Sequence, residues 1–414
     1  MDDFESIAEK LKSLGIQRGI SKSFPAPKKE RHPVETVVSE GYEDITSLGT
    51  TFIAQKTLPI GYQHGNTPLL EIDTAFTQQW AKFSSNETYN LREFIFLDTE
   101  TSGLAGGTGT SPFMIGLGFY TDHGFVVRQL FMRSPQDESS LLISLSRQIE
   151  PFKVLVTFNG KSFDIPILNS RYILNGIPSP LTKLKHIDLL HLSRRIWRNR
   201  LKDCSLGSLE IEVLETTRDQ NEIPGWMVPQ IYFDYLRSGD ARPLEGVFYH
   251  NATDIISLAA LMNYINNEMF LSPNAVNSKK AVDMVSLAQL FEKLGLLDRA
   301  ILFYEAALSQ DLPVNNFARI LLDFAHLHRK EKRWEQAIEL WKKAAEYHQA
   351  EACIEISKYY EHVQKDYQHA QYWGDLGLAF ITHNIKSHHR DRLLKNDLIH
   401  RLARIKRKMR NEDL

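Results

Sequence analysis

Two carboxylate side chains, Asp98 and Glu100, follow directly on an apolar run at residues 94–97. Such a run, with glycines a few residues later, predicts a buried strand that opens into a loop. Because alternate strand residues point to the same side, Asp98 and Glu100 should share one face. Neighbouring carboxylates repel each other unless a cation lies between them or one binds a proton. Their oxygen atoms suit Mg²⁺ or Mn²⁺, so the pair predicts the first ligands of a divalent-metal site.

Two later segments carry groups of the same chemistry. Asp164 follows a second apolar run, at 154–158, and stands at the start of a predicted helix. His250 and Asp254 are four residues apart in another predicted helix and should therefore face the same way. Taken alone, each has a simpler explanation, which is a helix cap for Asp164 and a surface pair for His250 and Asp254.

Taken together, the three segments predict one catalytic centre. Four carboxylates are enough to hold two metal ions about 3.5–4 Å apart, as phosphodiester hydrolysis often requires. One ion would help to form hydroxide from water, and the other would stabilise the leaving 3′ oxygen. His250 would accept the proton of the attacking water.

These segments resemble the exonuclease motifs of the DEDD superfamily, within the ribonuclease-H-like fold, and in particular those of bacterial YprB-type proteins. The resemblance rests on residues 97–110, 159–166 and 250–254, with further support at 186–191 and 223–232. It covers about 93–271 and implies a five-stranded mixed sheet whose first three strands are antiparallel. It also implies a catalytic set in which two ions, Mg²⁺ or Mn²⁺, are bound by four ligands and His250 is the base; the ligands are Asp98, Glu100, Asp164 and Asp254.

The spacing before Asp254 departs from the usual pattern of that superfamily, which has Tyr four residues before the last Asp or His five residues before it. Here His250 is four residues before Asp254, and Tyr249 is five residues before it. Adjacent helical residues point about 100° apart, so the two side chains cannot share one orientation. His250 is the preferred base because a neutral imidazole accepts a proton near pH 7, and Tyr249 is the alternative.

Candidate substrate contacts lie in and near the same segments. Phe163 could stack on a terminal base, or it could belong to the core. A basic cluster at 194–202 could bind a phosphate backbone. Asp188 is interpreted either as a helix cap or as a further acid of the cleft. The predicted substrate-binding residues are Thr101, Asn159, Phe163, Arg194 and Arg195.

The 414-residue chain is long enough for two or three domains. We predict a helix and linker at 1–40, a lead-in segment at 41–92 that is β-rich, and an α/β ribonuclease-H-like domain at 93–271. An all-α domain at 273–385 and a basic helix at 386–414 should follow. The last segment carries ten Lys and Arg against four Asp and Glu, which favours either a phosphate-binding patch or a solvated face.

A weak repeat characterises the all-α part. Ala288, Ala300, Tyr304 and Ala307 recur with the same offsets 37 residues later, as Ala325, Ala337, Trp341 and Ala344. The period resembles that of tetratricopeptide repeats, which is about 34 residues. Small residues at these positions let paired helices approach closely. An irregular helical bundle is the alternative interpretation.

The amino-acid composition narrows the classes of protein to which this chain can belong. The 43% hydrophobic and 24% charged residues are typical of a globular protein, and no apolar run reaches membrane-spanning length. The acidic N-terminus lacks the features of a signal peptide. The two cysteines, Cys204 and Cys353, lack metal-ligand spacing and favour a reducing, cytoplasmic location without disulfides or zinc.

The resulting hypothesis is a metal-dependent nuclease, a 3′→5′ exonuclease acting on DNA or RNA. A structure-directed endonuclease on the same fold is one alternative. Another is a nuclease-like domain with little or no activity that serves as an adaptor, binding nucleic acid or a protein partner through its helical repeats.

Overall fold

The structure is a computed structural model that describes residues 32–412, except 85, 104–108, 219–221, 269–270, 272–274, 276–278 and 384–388. The predicted N-terminal helix at 1–20 and most of the glycine-rich loop after Glu100 lie outside these residues. The described part consists of a mixed sheet flanked by helices, followed by an all-helical region. The predicted fold class is therefore confirmed.

The main sheet has seven strands, which are β1 Gly41–Thr46, β2 Gly49–Leu58, β5 Phe94–Thr101, β6 Pro112–Thr121, β7 Gly124–Phe131, β8 Val154–Thr157 and β9 Lys185–Asp188. Their order across the sheet is β1-β2-β7-β6-β5-β8-β9. Along the sheet, the neighbouring strands β1, β2, β7, β6 and β5 are antiparallel to one another. The strands β5, β8 and β9 run parallel. A separate hairpin, β3 and β4, spans Gln63–His64 and Thr67–Pro68.

The expectation of a five-stranded sheet is wrong by two strands. The five expected strands are present as β5 to β9, with the first three antiparallel. The lead-in segment adds β1 and β2, because β2 pairs with β7 along seven residues, from Phe52 to Leu58. This pairing covers the edge of β7, which would otherwise expose unpaired backbone groups. The outermost strand is now β1, most of whose residues are exposed or partly exposed.

Helices cover both faces of the sheet, which explains why its central strands are apolar on both sides. Along β5, Phe94 and Phe96 enter one core, whereas Ile95 and Leu97 enter the other. The helices of this part are α1 Val34–Val37, α2 Ala75–Trp80, α3 Glu138–Ile149, α4 Asp164–Leu174, α5 Leu189–Trp197, α6 Leu206–Glu212, α7 Val228–Ser238 and α8 Leu244–Asn267.

The C-terminal region consists of consecutive helices. All eight residues of the two predicted repeat units are buried, and they lie in the first four helices of the region. A five-residue π-helical turn at Tyr360–Gln364 interrupts the series after its fifth helix. The helices are α9 Ala281–Lys293, α10 Leu297–Leu308, α11 Val314–Lys330, α12 Trp334–Glu346, α13 Ala350–Tyr359, α14 Tyr367–His383 and α15 His389–Glu412.

The first helices of this region pack directly on the sheet domain. One continuous apolar core includes residues from Leu58 to Leu327. Within it, the ring centroids of Phe76 and Phe291 are 5.8 Å apart. Arg200, a member of the predicted phosphate-binding cluster, instead forms an ion pair with Asp283 of α9, with Nε 2.8 Å from the carboxylate. This contact joins the two regions and removes Arg200 from the candidate substrate contacts.

Helix lengths and polarity also bear on membranes. Within the described part of the chain, every helix is too short or too polar to cross a bilayer.

Candidate active site

The acidic strand end is where the site begins. Asp98 and Glu100 lie near the end of β5, and the pairing with β6 shifts register between Glu100 and Thr101, an irregularity that re-aims side chains. Burial, followed by repulsion from Asp254 and Asp164, raises the pKa of Glu100 to about 8. The same causes raise the pKa of Asp98 well above its usual range. Both carboxyl groups therefore lie where a negative charge is costly unless a cation offsets it.

Helix α8 brings the second part of the site onto this strand. Asn251 donates a hydrogen bond from Nδ2 to Oδ2 of Asp98 at 3.1 Å, and it accepts one from Gln129 at 3.1 Å. The helix can approach this closely because β6 carries Gly116, where a Cβ atom would lie 2.3 Å from the Asn251 amide oxygen. Asn251 thus fixes the position of α8 relative to Asp98.

One turn of α8 supplies His250 and Asp254. Glu100, His250 and Asp254 present ligand atoms that all lie within 4.8 Å of one another, and Nε2 of His250 is 3.6 Å from Asp254. The His250 side chain is 14% exposed, whereas Tyr249 is 41% exposed. His250 therefore lies within this group of ligand atoms, and Tyr249 is the more exposed of the two candidate bases.

Asp164 approaches from the N-terminus of α4. It accepts a hydrogen bond from the hydroxyl of Thr99 at 2.5 Å, and Thr99 lies between the two acids of β5. Burial raises the pKa of Asp164 to about 6, and the bond from Thr99 limits the rise. Asp164 is close enough to raise the pKa values of Asp98 and Glu100, but it is outside the three-residue group of closely spaced ligand atoms.

Asp188 shapes the loop that carries Asn159. Its carboxylate caps α5 through the Leu190 amide at 3.1 Å, as the helix-cap interpretation expects. It also accepts hydrogen bonds from the amides of Asn159, at 2.8 Å, and Lys161, at 3.1 Å. Asn159 has a left-handed backbone with φ of 64°, a conformation that asparagine tolerates better than most residues. Asp188 therefore holds the turn that leads to Asp164.

The remaining predicted substrate contacts are spread around this centre. Thr101 is buried and its hydroxyl donates to the Gly103 carbonyl at 2.8 Å. Phe163 is half-buried at the residue preceding α4. Arg194 is exposed and Arg195 is half-buried, both on α5. They lie on elements that adjoin the centre, and the described contacts do not tie them to it.

Sequence reasoning missed a cation, Arg218. Its largely buried guanidinium bonds to Asp254, to Glu222 and to Glu210, the last at 2.5 Å. Burial opposes its charge, but Glu210 and Asp254 outweigh this and raise the pKa of Arg218. Nδ1 of His250 is 3.1 Å from Glu222, which joins the base to the same network. Arg218 lies in a segment without helical or strand periodicity, so no pattern in the sequence marks it.

These residues line an open cleft of about 530 Å³. It is lined by Leu206, Gly207, Glu210, Ile211, Thr217, Arg218, Glu222, His250 and Asp254. The turn of the β3–β4 hairpin contacts the residues that follow α6, since the backbone amide of Asn66 donates to the Leu214 carbonyl at 2.8 Å. The lead-in segment thus helps to position Glu210 and the wall of the cleft.

The donor set fits Mg²⁺ or Mn²⁺. Burial raises the pKa of all four carboxyl groups, and Arg218 partly counteracts this effect at Asp254. Hard oxygen donors whose negative charges are incompletely offset by the protein suit a hard divalent cation.

Comparison with known proteins agrees with this geometry. Residues 95–266 match the model of the RNase H superfamily, and this range includes β5 to β9 and α8 almost entirely. YprB of Bacillus subtilis strain 168, an uncharacterized protein, is 30% identical over 326 residues, which are 76% of this chain and 77% of YprB. RNase H-like proteins include many nucleases, which supports a nuclease in general terms. The chain therefore belongs to the same family as YprB, and its residues 95–266 form a domain of the RNase H superfamily.

Proposed function

We propose that this protein is a metal-dependent 3′→5′ exonuclease that hydrolyses phosphodiester bonds of DNA or RNA. The observation that carries the proposal is the close group of Glu100, His250 and Asp254, together with Asp98 and Asp164, whose charges interact with the same acids. Asp98, Glu100, Asp164 and Asp254 would hold two ions, Mg²⁺ or Mn²⁺. When bound, such ions supply Lewis-acid stabilisation and a nucleophile at neutral pH.

The contacts of His250 suit a general base. Nδ1 of His250 lies 3.1 Å from Glu222 and 3.2 Å from Nη1 of Arg218, so it donates to Glu222 in one tautomer and accepts from Arg218 in the other. The tautomer that donates to Glu222 leaves the lone pair on Nε2, which lies 3.6 Å from Asp254. In that tautomer Nε2 accepts the proton of the attacking water, and Glu222 orients the ring.

The direct test is release of nucleotides from 3′-labelled oligonucleotides of DNA and of RNA, with Mg²⁺ or Mn²⁺. Asp98→Ala is the control, because it removes one ligand without touching the cleft wall. Nucleotide release by the wild type and not by the variant is expected. Equal nucleotide release by both proteins, or no release by either, would contradict the proposal. Closed circular and 3′-blocked substrates separate exonuclease from endonuclease action.

A second candidate function is an adaptor that binds a protein partner through tetratricopeptide-like helices. The observation that favours it is the burial of matching small residues at equal offsets in two consecutive helix pairs, as stacked repeats require. A groove of about 360 Å³ between α9 and α11 adjoins them. Full-length protein carrying Asp98→Ala should then retain a co-purified partner, whereas Val282→Glu in the groove should lose it. Retention by both variants would count against the adaptor.

A further inference from the structure

An exposed tryptophan stands beside the cleft. Of the six tryptophans, all within the described residues, Trp226 alone is exposed, with 70% of its surface accessible. Its neighbour Met227 and, on α8, Tyr249 are also exposed, and Ile211 is exposed on the cleft wall. A large aromatic ring in water has an unfavourable environment, so such a side chain commonly marks a binding surface.

The backbone places Trp226 next to His250. At the preceding residue, Gly225, a Cβ atom would lie 3.7 Å from Nε2 of His250. The segment that carries the tryptophan therefore passes directly over the candidate base. Trp226 belongs to a single turn of 3-10 helix at Gly225–Met227.

This turn is anchored on both sides, although its tryptophan is exposed. Before it, the side chain of Ile223 packs against Gly246 of α8, where a Cβ atom would lie 2.3 Å away. After it, Val228 is buried and Tyr232 stacks on Phe113 with ring centroids 4.0 Å apart. The hydroxyl of Tyr232 donates to the Met132 carbonyl at 3.0 Å. An anchored turn presents its exposed ring with little loss of conformational freedom on binding.

The charges of the cleft favour an uncharged contact. Among the residues that line it, the cation Arg218 is already bonded to three carboxylates. It is therefore poorly suited to attract the phosphates of a nucleic acid. The flat faces of nucleobases carry no charge and stack on aromatic side chains irrespective of sequence.

We infer that Trp226 is a base-stacking platform for an unpaired nucleotide next to the bond that is cleaved. The inference rests on the proposed nuclease function and names a contact of that same site. A nucleobase is the favoured occupant because Trp226 is exposed and directly follows Gly225, the residue that lies next to His250. Stacking on one base makes a contribution that corresponds to about a 5- to 150-fold change in Kd.

The test is a binding cycle with full-length protein in the Asp98→Ala background, which preserves the oligonucleotide during the measurement. Fluorescence anisotropy gives the Kd for a single-stranded oligonucleotide and for copies that carry an abasic site at each of the three 3′-terminal positions. Trp226→Ala should weaken binding of the intact oligonucleotide by about 5- to 150-fold. Trp226→Phe should retain most of the affinity, and Tyr372→Ala, which removes an exposed aromatic ring from α14, should leave it unchanged.

The abasic series identifies the occupant. With Trp226 present, one abasic position should weaken binding about as much as Trp226→Ala does, and the same position should have no further effect in Trp226→Ala. Unchanged binding by Trp226→Ala would overturn the inference. It would also be overturned if the abasic site and Trp226→Ala weakened binding independently, so that their fold-changes in Kd multiply. A change of oligomeric state in Trp226→Ala with unchanged oligonucleotide binding would overturn it too, since it would make the ring a protein contact. If the wild type neither binds nor hydrolyses oligonucleotides, the proposed function fails; if it does both and Trp226→Ala matches it, only the stacking inference fails.

Discussion

Two buried glutamates, one in each half of the molecule, have pKa values that are shifted in opposite directions. Glu100 lies in the candidate active site, where burial raises its pKa to about 8. The side chain of Glu361, which is fully buried in the π-helical turn after α13, has a pKa lowered to about 2. Burial alone would raise the pKa of Glu361 too, but Arg401, Arg404 and Lys408 of α15 lie 2.7–3.0 Å from its carboxylate.

The difference shows that burial does not decide the role of a carboxylate; its charged neighbours do. Glu361 is surrounded by cations of the same chain and fixes α15 to the helical region. Three cations of the basic C-terminal segment are thus engaged in a structural contact, which reduces what that segment offers to phosphates. Glu100 is surrounded mainly by other acids, an arrangement that a structural role does not require and that a metal site does.

The largest expected effect is on activity. Glu100→Gln removes one charge at nearly constant shape and should reduce nucleotide release at least about 1,000-fold, because a metal ion contributes several kcal/mol to such a reaction. In urea unfolding at pH 9 without divalent ions, the Glu100→Gln variant should be at least as stable as the wild type, since the substitution removes repulsion between carboxylates. A variant that keeps its activity, or that loses stability, would remove the contrast with Glu361.

The matched change at the second glutamate should affect stability instead. Glu361→Gln should lower the free energy of unfolding by about 3 kcal/mol, because it leaves the cations of α15 without their common partner. The control is Glu339→Gln, which breaks an exposed pair with Lys343 at 3.3 Å and should change stability by less than about 0.5 kcal/mol. Equal effects of the two substitutions would contradict the assignment of Glu361 as the anchor of α15.

The pH dependence of the Glu361 effect should follow from its pKa. Because the folded pKa, about 2, is below the ordinary value of 4.5, the folded state binds fewer protons than the unfolded state between these values. Its contribution is therefore fully present above pH 4.5 and declines as the pH falls towards 2. The difference between wild type and Glu361→Gln should shrink by about 2 kcal/mol from pH 4.5 to pH 3, as measured by urea unfolding. A constant difference would argue against this charge effect.

The smallest expected effect concerns Arg218, the cation that lies within the acidic centre. Arg218→Gln should be less stable than wild type without divalent ions, because it leaves Glu210, Glu222 and Asp254 uncompensated. Mn²⁺ should then raise its melting temperature by about 1 °C more than that of the wild type, which corresponds to about 1 kcal/mol for a chain of 414 residues. Equal increases in melting temperature of the two proteins on addition of Mn²⁺ would show that the charge of Arg218 does not act on the metal ligands.

Much of the fold and part of the site could be predicted from local patterns. The apolar run before Asp98 and the alternation of strand residues define β5 and place Asp98 and Glu100 near its end. The four-residue spacing of His250 and Asp254 predicts their common face on α8, because helical periodicity is a local property. The roles of these residues in catalysis stay predictions until activity is measured.

The contacts that organise the site could not be predicted in this way. Arg218 reaches Asp254 across 36 residues, and Asn251 reaches Asp98 across 153. The lead-in strands joined the sheet because β7 had an edge that only the tertiary structure reveals.

Local sequence patterns predicted the five strands from β5 to β9, helix α8 and the chemical groups that they carry, because periodicity and turn residues act over a few neighbours. The tertiary structure alone decided which charges meet. It placed His250 beside Glu100 and Asp254, put Arg218 among the acids, and surrounded Glu361 with cations. The physical reason is that the field at a buried carboxylate depends on groups distant in sequence, whose positions are set only when the whole chain packs.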